Sequence, residues 1–338
     1  MKPLLTVEGL RVEFGSEDPP LVAVDGAGLT VRPGEVVGLI GESGSGKSLT
    51  CRAVMRLIPR PGRVTAGRIE FDGQDVLGMS AGELREFRAH EAGMIYQDPF
   101  SSLNPVLRIR DQIAETLRVN LQMSKAQARS HAVELLDGVG IPEPERRALA
   151  YPHELSGGMR QRVMIALATA SRPRLLLADE PTTALDVTTQ AQILALLMRL
   201  RAERGMAVLL VSHDFGVIAQ VCDRVAVMYG GHVVEMGPLD ALYSNAQHPY
   251  TRALLEAVPR LESAGRPTRR QGIAGVPPEL TDVLPGCVFK PRCRYAQPSC
   301  ESISMQLEPV TPGHETACPV RPFADSAAKP ETHARAQA

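Results

Sequence analysis

The chain has no tryptophan, few aromatic residues and almost no net charge. Of its 338 residues, 4% are aromatic, and 37 Lys plus Arg oppose 38 Asp plus Glu for a formal charge of −1. A protein that binds nucleic acid over a broad surface carries an excess of positive charge. The balance gives no support to such a surface, although it leaves local basic patches open, and we expect no nucleic acid among the partners.

The sequence also lacks the features of membrane-spanning and disulfide-rich proteins. No apolar run approaches the roughly 20 residues that span a bilayer, and residues 1–6 contain no continuous apolar signal region. We therefore expect a soluble chain that would work at a membrane only through a partner. Six cysteines are too few for a disulfide framework at this length.

The order of apolar segments indicates an α/β fold. Short apolar runs at 35–40, 175–179 and 207–211 have the pattern of strands buried on both faces of a parallel sheet. Residues 187–204, between the last two runs, have the pattern of a helix. Strand, helix and strand in this order predict a parallel sheet with right-handed crossovers. At 338 residues the chain can bury such a core and carry a second, smaller domain.

The N-terminal part of the chain is rich in strand signals. Residues 4–14 and 20–40 are predicted to form strands, with turns at Asp25–Gly26 and Pro33–Gly34. Residues 49–58 are predicted to form a helix. A β-rich N-terminal subdomain is the expected result.

The remaining regions differ in character. Apolar residues recur every four positions from 109 to 117, so a mainly helical insert is predicted at about 100–170. We expect residues 1–244 to form the main domain. Residues 245–322 are rich in proline and predict a loop-rich extension, and residues 323–338 are small and polar and predict a disordered tail.

One segment matches the pattern G-x-x-x-x-G-K-[ST] between a predicted strand and a predicted helix. Its residues are Gly41, Glu42, Ser43, Gly44, Ser45, Gly46, Lys47 and Ser48. Here the glycines let backbone N–H groups turn toward a phosphate, the lysine contacts phosphate oxygens and the final hydroxyl suits Mg²⁺. The alternative is a Gly/Ser-rich linker, which rarely lies between a buried strand and a helix. The pattern predicts nucleotide binding but does not separate a GTPase, a kinase and an ATPase.

Two acidic residues, Asp179 and Glu180, follow four apolar residues at the end of a predicted strand. Ligands of open α/β sheets gather at this end of the strands. Asp179 is placed to hold Mg²⁺, directly or through water, and Glu180 to polarise the attacking water in phosphoryl transfer. The alternative is an acidic pair that caps the next helix.

A second glycine-rich helix start follows the helical insert. Its residues are Leu155, Ser156, Gly157, Gly158, Met159, Arg160 and Gln161. Ser156 is a predicted N-cap, and the helix start is a second anion-binding site in a chain that already has one for its nucleotide. The segment resembles the signature sequence of ABC ATPases, in which the signature of one subunit closes over the γ-phosphate held by its partner. The alternative is an ordinary helix cap, which would not require both glycines.

Four further residues are similar to motifs of the ABC ATPases. Gln97, at the end of a predicted strand, resembles the Q-loop glutamine that senses Mg²⁺ and the lytic water. Asp186 resembles the D-loop aspartate, or it caps the helix that begins at residue 187. His213 resembles the switch histidine that bonds the γ-phosphate, or it is structural. Phe14 resembles the aromatic residue that stacks on adenine, or it belongs to the core.

Two segments resemble the oligopeptide and dipeptide importer branch of this family: residues 98–105, after Gln97, and residues 247–252, which open the extension. The resemblance implies an ATP-hydrolysing subunit that powers peptide import at the cytoplasmic face of the inner membrane. It implies a second ABC ATPase as heterodimer partner, two transmembrane permease subunits and, indirectly, an extracytoplasmic solute-binding protein. Alternatives are the import of nickel or another small solute, or a soluble ATPase that acts on nucleic acid.

Four of the six cysteines, Cys287, Cys293, Cys300 and Cys318, crowd into the extension. Clustered thiols outside a disulfide framework indicate metal before disulfide, but the spacing lacks the C-x2-C pairs common in structural zinc sites. The segment resembles the cysteine-rich C-terminal segment of some peptide-importer ATPases that bind a 4Fe–4S cluster. Zinc is the second candidate, and two disulfides or four free thiols are the remaining alternatives.

Overall fold

A computed structural model describes most of the chain and contains two β-sheets. The described residues are 2–15, 20–98, 102–257, 272–278 and 285–323. All but the first residue of the tail predicted at 323–338 therefore lie outside the described residues. The same holds for residues 99–101 of the segment that resembles the peptide importers.

The smaller sheet is antiparallel and has the order β2-β1-β4-β5. Its strands are β1 (Leu5–Phe14), β2 (Leu21–Val31), β4 (Arg63–Phe71) and β5 (Gln74–Asp75). The turn predicted at Asp25–Gly26 is wrong, because both residues lie inside β2. Val12 pairs with Val24 and Leu10 with Ala27, so Asp25 and Gly26 together face one residue of β1 and form a bulge. Gly26 has a positive φ of 68°, which serves this bulge.

The larger sheet has a parallel centre, as the apolar runs predicted. Its order is β11-β12-β10-β9-β3-β8-β7-β6, and the five strands from β9 to β6 are parallel. These are β3 (Val36–Ile40), β6 (Ala92–Ile95), β7 (Leu175–Asp179), β8 (Ala207–Ser212) and β9 (Arg224–Tyr229). Every residue of β3, β7 and β8 is buried. Their carboxyl ends meet at one edge, where ligands of such sheets bind.

Helices cover this sheet and connect its strands. They are α1 (Lys47–Val54), α2 (Ala81–Glu86), α3 (Ile109–Leu121), α4 (Lys125–Gly138), α5 (Pro144–Ala148), α6 (Gly157–Thr169), α7 (Val187–Arg204) and α8 (Phe215–Val221). Four of them, α3 to α6, lie between β6 and β7 in the region of the predicted insert. The first helix begins two residues earlier than predicted and ends at Val54, because Arg56 has a left-handed backbone with φ 50°.

The extension continues the larger sheet. Helix α9 (Leu239–Asn245) leads into it. The extension contains α10 (Pro249–Ala257), two short 3₁₀ turns (Lys290–Arg292 and Pro298–Glu301), and the hairpin β11 (Glu308–Thr311) and β12 (His314–Thr316). Strand β12 pairs with β10 (His232–Pro238), where Glu235 lies opposite Thr316. The change of sequence character near residue 245 therefore does not mark an end of the sheet. The division into domains at that point stays a prediction.

Two apolar layers flank the central strands. Val36 and Ile40 of β3 pack in the layer that contains the helical region, and Val37 and Leu39 pack in the layer under the smaller sheet. Alternate side chains of a strand point to opposite faces, so one short apolar run supplies both layers. Across the parts of the chain that the structure describes, no helix combines the length and apolar character needed to cross a membrane.

Candidate nucleotide-binding site

The segment from Gly41 to Gly46 connects β3 to α1 at the carboxyl edge of the sheet, and we call it the phosphate loop. Two of its glycines are required, one by the packing of the loop against β9 and one by its backbone conformation. A Cβ on Gly41 would lie 2.0 Å from the carbonyl oxygen of Met228, and Gly46 has a φ of 101°. The loop is thus fixed on a buried strand, with its backbone held close to neighbouring backbone.

Lys47 is folded into this loop. Its Nζ donates hydrogen bonds to the carbonyl oxygens of Gly41 at 2.8 Å and Glu42 at 2.7 Å, and to Ser45 Oγ at 3.3 Å. The side chain is buried, and this desolvation lowers the pKa of its ammonium group. The ammonium therefore lies among the loop's own groups, where phosphate oxygens would compete for it as acceptors.

Ser48 and Asp179 lie together, as expected of a Mg²⁺ site. Ser48 Oγ donates a 2.8 Å hydrogen bond to Asp179 Oδ1. Asp179 is 1% exposed, and its Oδ2 has no hydrogen-bond partner among the residues that the structure describes. Burial raises the pKa of this carboxyl group. A buried carboxylate oxygen without a partner, beside a hydroxyl, provides the hard oxygen ligands that Mg²⁺ prefers, so these residues fit the ion.

Glu180 is held by three side chains, two of which come from neighbouring strand ends. Gln97 Nε2 and Thr183 Oγ1 donate to Glu180 Oε2 at 3.0 and 2.8 Å, and His213 Nδ1 lies 3.3 Å from Oε1. The backbone of Glu180 has a φ of 48°, which is uncommon for a residue with a Cβ and typical of functional sites. Gln97, Glu180 and His213, identified in the sequence as separate candidates, are thus brought together by β6, β7 and β8.

The environment of Glu180 keeps it ionised. Burial acts to raise the pKa of Glu180, but hydrogen bonds from Thr183 and His213 outweigh it and lower the pKa. An ionised carboxylate can accept a hydrogen bond from a water and orient it, which is the role of such a residue in phosphoryl transfer. Sequence reasoning missed Thr183; its place three residues after Glu180 was the available signal.

Ser156 caps helix α6 as predicted, since its Oγ accepts a hydrogen bond from Met159 N at 3.3 Å. The two glycines that follow differ. A Cβ on Gly158 would lie 2.7 Å from Thr189 Cγ2, so packing within the chain requires this glycine. The expectation that a plain helix cap would not need both glycines is therefore wrong for Gly158. A Cβ on Gly157 would make only ordinary contact, at 3.7 Å from Leu185 Cδ2, so no packing among the described residues requires this glycine.

The other signature residues are buried beneath the helix start. Leu155 is 4% exposed and Gln161 is 3% exposed. Gln161 Nε2 has no hydrogen-bond partner within the described ranges of the chain. Both side chains are buried within their own chain. A contact of either one with a partner's nucleotide stays a prediction.

Asp186 and Phe14 each have the structural role that was named as the alternative. Asp186 caps α7, accepting from Thr189 N at 2.9 Å and Thr189 Oγ1 at 2.7 Å. The ring of Phe14 lies against Gly62, where an added Cβ would be 2.5 Å from Phe14 Cε1. These contacts leave the D-loop and adenine-stacking roles as predictions.

The four cysteines of the extension face one cavity. Cys287, Cys300 and Cys318 are buried and Cys293 is partly buried, and all four line this cavity. Burial raises the pKa of Cys287 to about 11 and also raises the pKa values of Cys293 and Cys318. No three His, Cys, Asp or Glu side chains in the described residues are arranged to hold a metal ion. The thiols share a cavity without forming a ready metal site.

Comparison with known proteins decides the family. The chain is 47% identical over 315 residues to the dipeptide transport ATP-binding protein DppD of Escherichia coli, covering 93% of this chain and 96% of DppD. It is 47% identical to the oligopeptide transport ATP-binding protein OppD of Salmonella typhimurium, covering 93% of each. The protein belongs to the ABC transporter family. The family profile for ABC transporters matches residues 24–183, and that for the oligopeptide/dipeptide transporter C-terminal region matches residues 234–300.

Solved structures agree with this assignment. The chain resembles the ATP-binding cassette MJ0796, solved as a dimer in a post-hydrolysis state with ADP and Pi. The TM-score is 0.63 at 30% identity, covering 70% of this chain and 98% of the other. The predicted α/β fold with a P-loop NTPase core of the ABC type is thus confirmed. This protein is an ABC ATPase, which decides among the GTPase, kinase and ATPase left open by the phosphate loop and identifies ATP and Mg²⁺ as its ligands.

Proposed function

We propose that this ABC ATPase powers the import of dipeptides or oligopeptides through a membrane transporter. The observation that carries the proposal is similarity over nearly the whole chain, extension included, to dipeptide and oligopeptide transport ATP-binding proteins. The mechanism is closure of an ATPase dimer when ATP binds and reopening after hydrolysis. ATP can drive a transporter only by binding the closed state more tightly than the open one.

Catalysis by this chain rests on the cluster around Glu180. Gln97 and His213 orient the Glu180 carboxylate, which in turn orients the attacking water, while Ser48 and Asp179 would hold Mg²⁺. The bound metal supplies charge neutralisation on the phosphate oxygens. The protein residues position the attacking water and keep the Glu180 carboxylate ionised at neutral pH.

The proposed assembly has a second ABC ATPase subunit, two transmembrane permease subunits and, indirectly, an extracytoplasmic solute-binding protein. The chain would lie at the cytoplasmic face of the inner membrane as a peripheral subunit. An apolar surface supports this placement: Val106 is 76% exposed and Leu107 37% exposed, between the Q-loop and the helical region. Contiguous exposed apolar side chains, unlike single ones, are typical of contacts with a partner.

The test uses the transporter that copurifies with this chain. Its subunits, reconstituted in vesicles with the solute-binding protein, should accumulate a labelled dipeptide or oligopeptide when MgATP is supplied. The same assembly with Glu180→Gln should accumulate none. Uptake of nickel without uptake of any peptide would contradict the peptide assignment, and copurification of DNA or RNA instead of membrane proteins would contradict transport.

We also propose that Cys287, Cys293, Cys300 and Cys318 hold a 4Fe–4S cluster that stabilises the proline-rich extension. Their shared cavity supports this, and four thiolates are the donor set of such clusters. Protein purified without oxygen should absorb in the visible range and contain iron and sulfide, and Cys293→Ser should lower both. Stoichiometric zinc without sulfide would support the zinc alternative, and folded protein without metal would contradict both.

A further inference from the structure

The phosphate loop is held from outside by the extension. Arg292 lies 250 residues after Glu42, the second residue of the loop. Its Nη1 donates to Glu42 Oε2 at 2.6 Å and its Nη2 donates to Oε1 at 3.1 Å. Two parallel hydrogen bonds between a guanidinium and a carboxylate fix orientation as well as distance.

Arg292 is itself fixed by its surroundings. Its side chain is 5% exposed, and it donates to Tyr229 OH at 3.1 Å and to the backbone carbonyls of Ala274 and Ile273 at 2.9 and 3.2 Å. The guanidinium also lies 5.6 Å from the centre of the Tyr229 ring. Because the guanidinium is buried and bonded to several partners, we expect its contact with the partly buried Glu42 to be more rigid than an ion pair on an open surface.

A second contact fixes the backbone of the same loop residue. Glu42 N donates to Tyr250 OH at 2.8 Å, and Tyr250 is fully buried. The Tyr250 ring packs against Tyr229 and Phe289, with ring centres 4.5 and 5.3 Å apart. Side chain and backbone of Glu42 are therefore both anchored to one block of aromatic residues, most of it in the extension.

Arg292 lies within the cysteine-rich segment of the extension. It ends a 3₁₀ turn and is followed directly by Cys293, whose N donates to Lys290 O at 3.1 Å. Cys287 N donates to Cys300 O at 2.7 Å and fixes the other end of the turn. Cys287, Cys293 and Cys300 all line the cavity, so we expect a shift of the cavity wall to move Arg292.

We propose that Arg292 and Tyr250 are positioning residues of the nucleotide site, which hold Glu42 and so couple ATP affinity to the cysteine cavity. They act on the nucleotide site through Glu42. They fix the loop in one shape, so that binding ATP does not have to order it. The inference rests on the loop as the phosphate site of this ABC ATPase and is independent of the transported solute.

The first test measures the dissociation constant of ATP for the full-length protein. Arg292→Met should weaken binding about tenfold, as expected when an indirect but rigid contact is lost. Arg292→Lys should recover only part of the loss, because a lysine cannot make the two parallel bonds. The matched control is Arg294→Met: Arg294 follows Cys293, is 66% exposed, and pairs only loosely with Glu256, at 3.8 Å. It should bind ATP like the wild type.

Two variants distinguish positioning from a general loss of stability. Tyr250→Phe removes one hydroxyl from a buried ring and should weaken ATP binding about threefold with little change in unfolding temperature. Glu42→Gln combined with Arg292→Met should bind ATP no more weakly than the worse single variant, because both changes break one contact. ATP affinity within twofold of wild type in both Arg292→Met and Tyr250→Phe would overturn the proposal, as would additive losses in the double variant.

The second test uses the reciprocity of coupling between two sites. If ATP affinity depends on the segment from Cys287 to Cys293, bound ATP must in turn stabilise that segment. Hydrogen exchange of its backbone amides should slow when ATP binds to wild-type protein and to Arg294→Met, and should be unchanged by ATP in Arg292→Met at saturating nucleotide. Exchange that ATP leaves unaltered in wild type, or slows equally in Arg292→Met, contradicts the coupling. If the wild-type transporter imports no peptide but both tests give the expected results, only the proposed solute is contradicted.

Discussion

The phosphate loop and the signature helix are both glycine-containing segments that open a helix, yet their surroundings differ. At the phosphate loop, the Lys47 ammonium is bonded to the loop's own oxygens, and the Ser48 hydroxyl and the Glu42 carboxylate are bonded to residues far along the same chain. At the signature helix, within the described parts of the chain, the Ser156 hydroxyl bonds only to its own helix and no close packing requires Gly157 to be a glycine. The phosphate loop is thus held in place by contacts within its own chain, whereas the start of the signature helix is open to a contact with another molecule.

From this difference we propose that each chain contributes one half to each of two different sites. The half with Lys47, Asp179 and Glu180 has the groups needed to bind a nucleotide and orient a water. The half with Ser156 and Gly157 has an anion-binding helix start that no other part of the described chain uses. A dimer in which each signature helix meets the partner's phosphate loop would complete both sites, and the similar cassette MJ0796 has been solved as a dimer.

The largest effect is expected from Glu180→Gln, in the half of the site that contains Lys47 and Asp179. The amide retains the shape of the carboxylate but cannot orient a water as an ionised group does. ATP turnover by the assembled transporter should fall by about 10²- to 10⁴-fold, the usual contribution of a positioned base, while ATP binding is kept. Steady-state phosphate release and nucleotide binding measure the two parts. Undiminished hydrolysis would remove Glu180 from this role.

A charge at the signature helix should act only between chains. Gly157→Asp has room within the chain, and a carboxylate in the first turn of a helix favours the isolated fold by about 0.3–1 kcal/mol. Facing a partner's triphosphate, the same charge is repelled, and transporter ATPase activity should fall on the order of 100-fold.

The control is Gly157→Asn, which has the same shape without the charge and should retain more activity. The unfolding temperature of the separate chain should not fall in either variant. Equal loss of activity in Asn and Asp, or a large drop in the unfolding temperature, would show that Gly157 acts within its own chain.

Lys47→Ala should affect the phosphate loop directly. The ammonium is the charged donor of the loop, and a charge-assisted hydrogen bond contributes about 1.5–3 kcal/mol, so ATP affinity should fall about 10- to 100-fold. Isothermal titration with the full chain measures this. Wild-type affinity would contradict the identification of the loop as the phosphate site.

The smallest effect is a gain in stability from Asp179→Asn. Burial raises the pKa of Asp179 in the folded chain, so the carboxyl favours folding when protonated and opposes it as pH rises through that pKa. At neutral pH the neutral amide should stabilise the nucleotide-free protein by roughly 1 kcal/mol, which raises the unfolding temperature by about 1–2 °C. The gain should disappear at low pH, and stabilisation by MgATP should weaken. A lower unfolding temperature at pH 7 would contradict this.

The sequence predicted most of the nucleotide-binding core because its signals are local. Short apolar runs gave β7 within the observed bounds and β8 to within one residue, and strand ends located Gln97, Glu180 and His213 separately. That these three side chains meet follows from the parallel order of β6, β7 and β8, since neighbouring strand ends share one edge.

Contacts between residues far apart in the sequence could not be predicted, because they leave no local signal. Nothing in residues 285–300 indicates that Arg292 reaches the phosphate loop, and nothing near Asp25–Gly26 distinguishes a bulge from a turn before the register of β1 is known. The packing of Gly158 on Thr189 was missed for the same reason: a glycine can serve a neighbouring helix as well as a ligand.

The most direct test of the account is the mass of the complex that Glu180→Gln forms with the second ATPase subunit of the transporter, by light scattering. With MgATP we expect a one-to-one complex that is absent with ADP and is lost when this chain also carries Gly157→Asp. A complex that forms equally with ADP, or that survives Gly157→Asp undiminished, would contradict the claim that one chain's signature helix completes the other's nucleotide site.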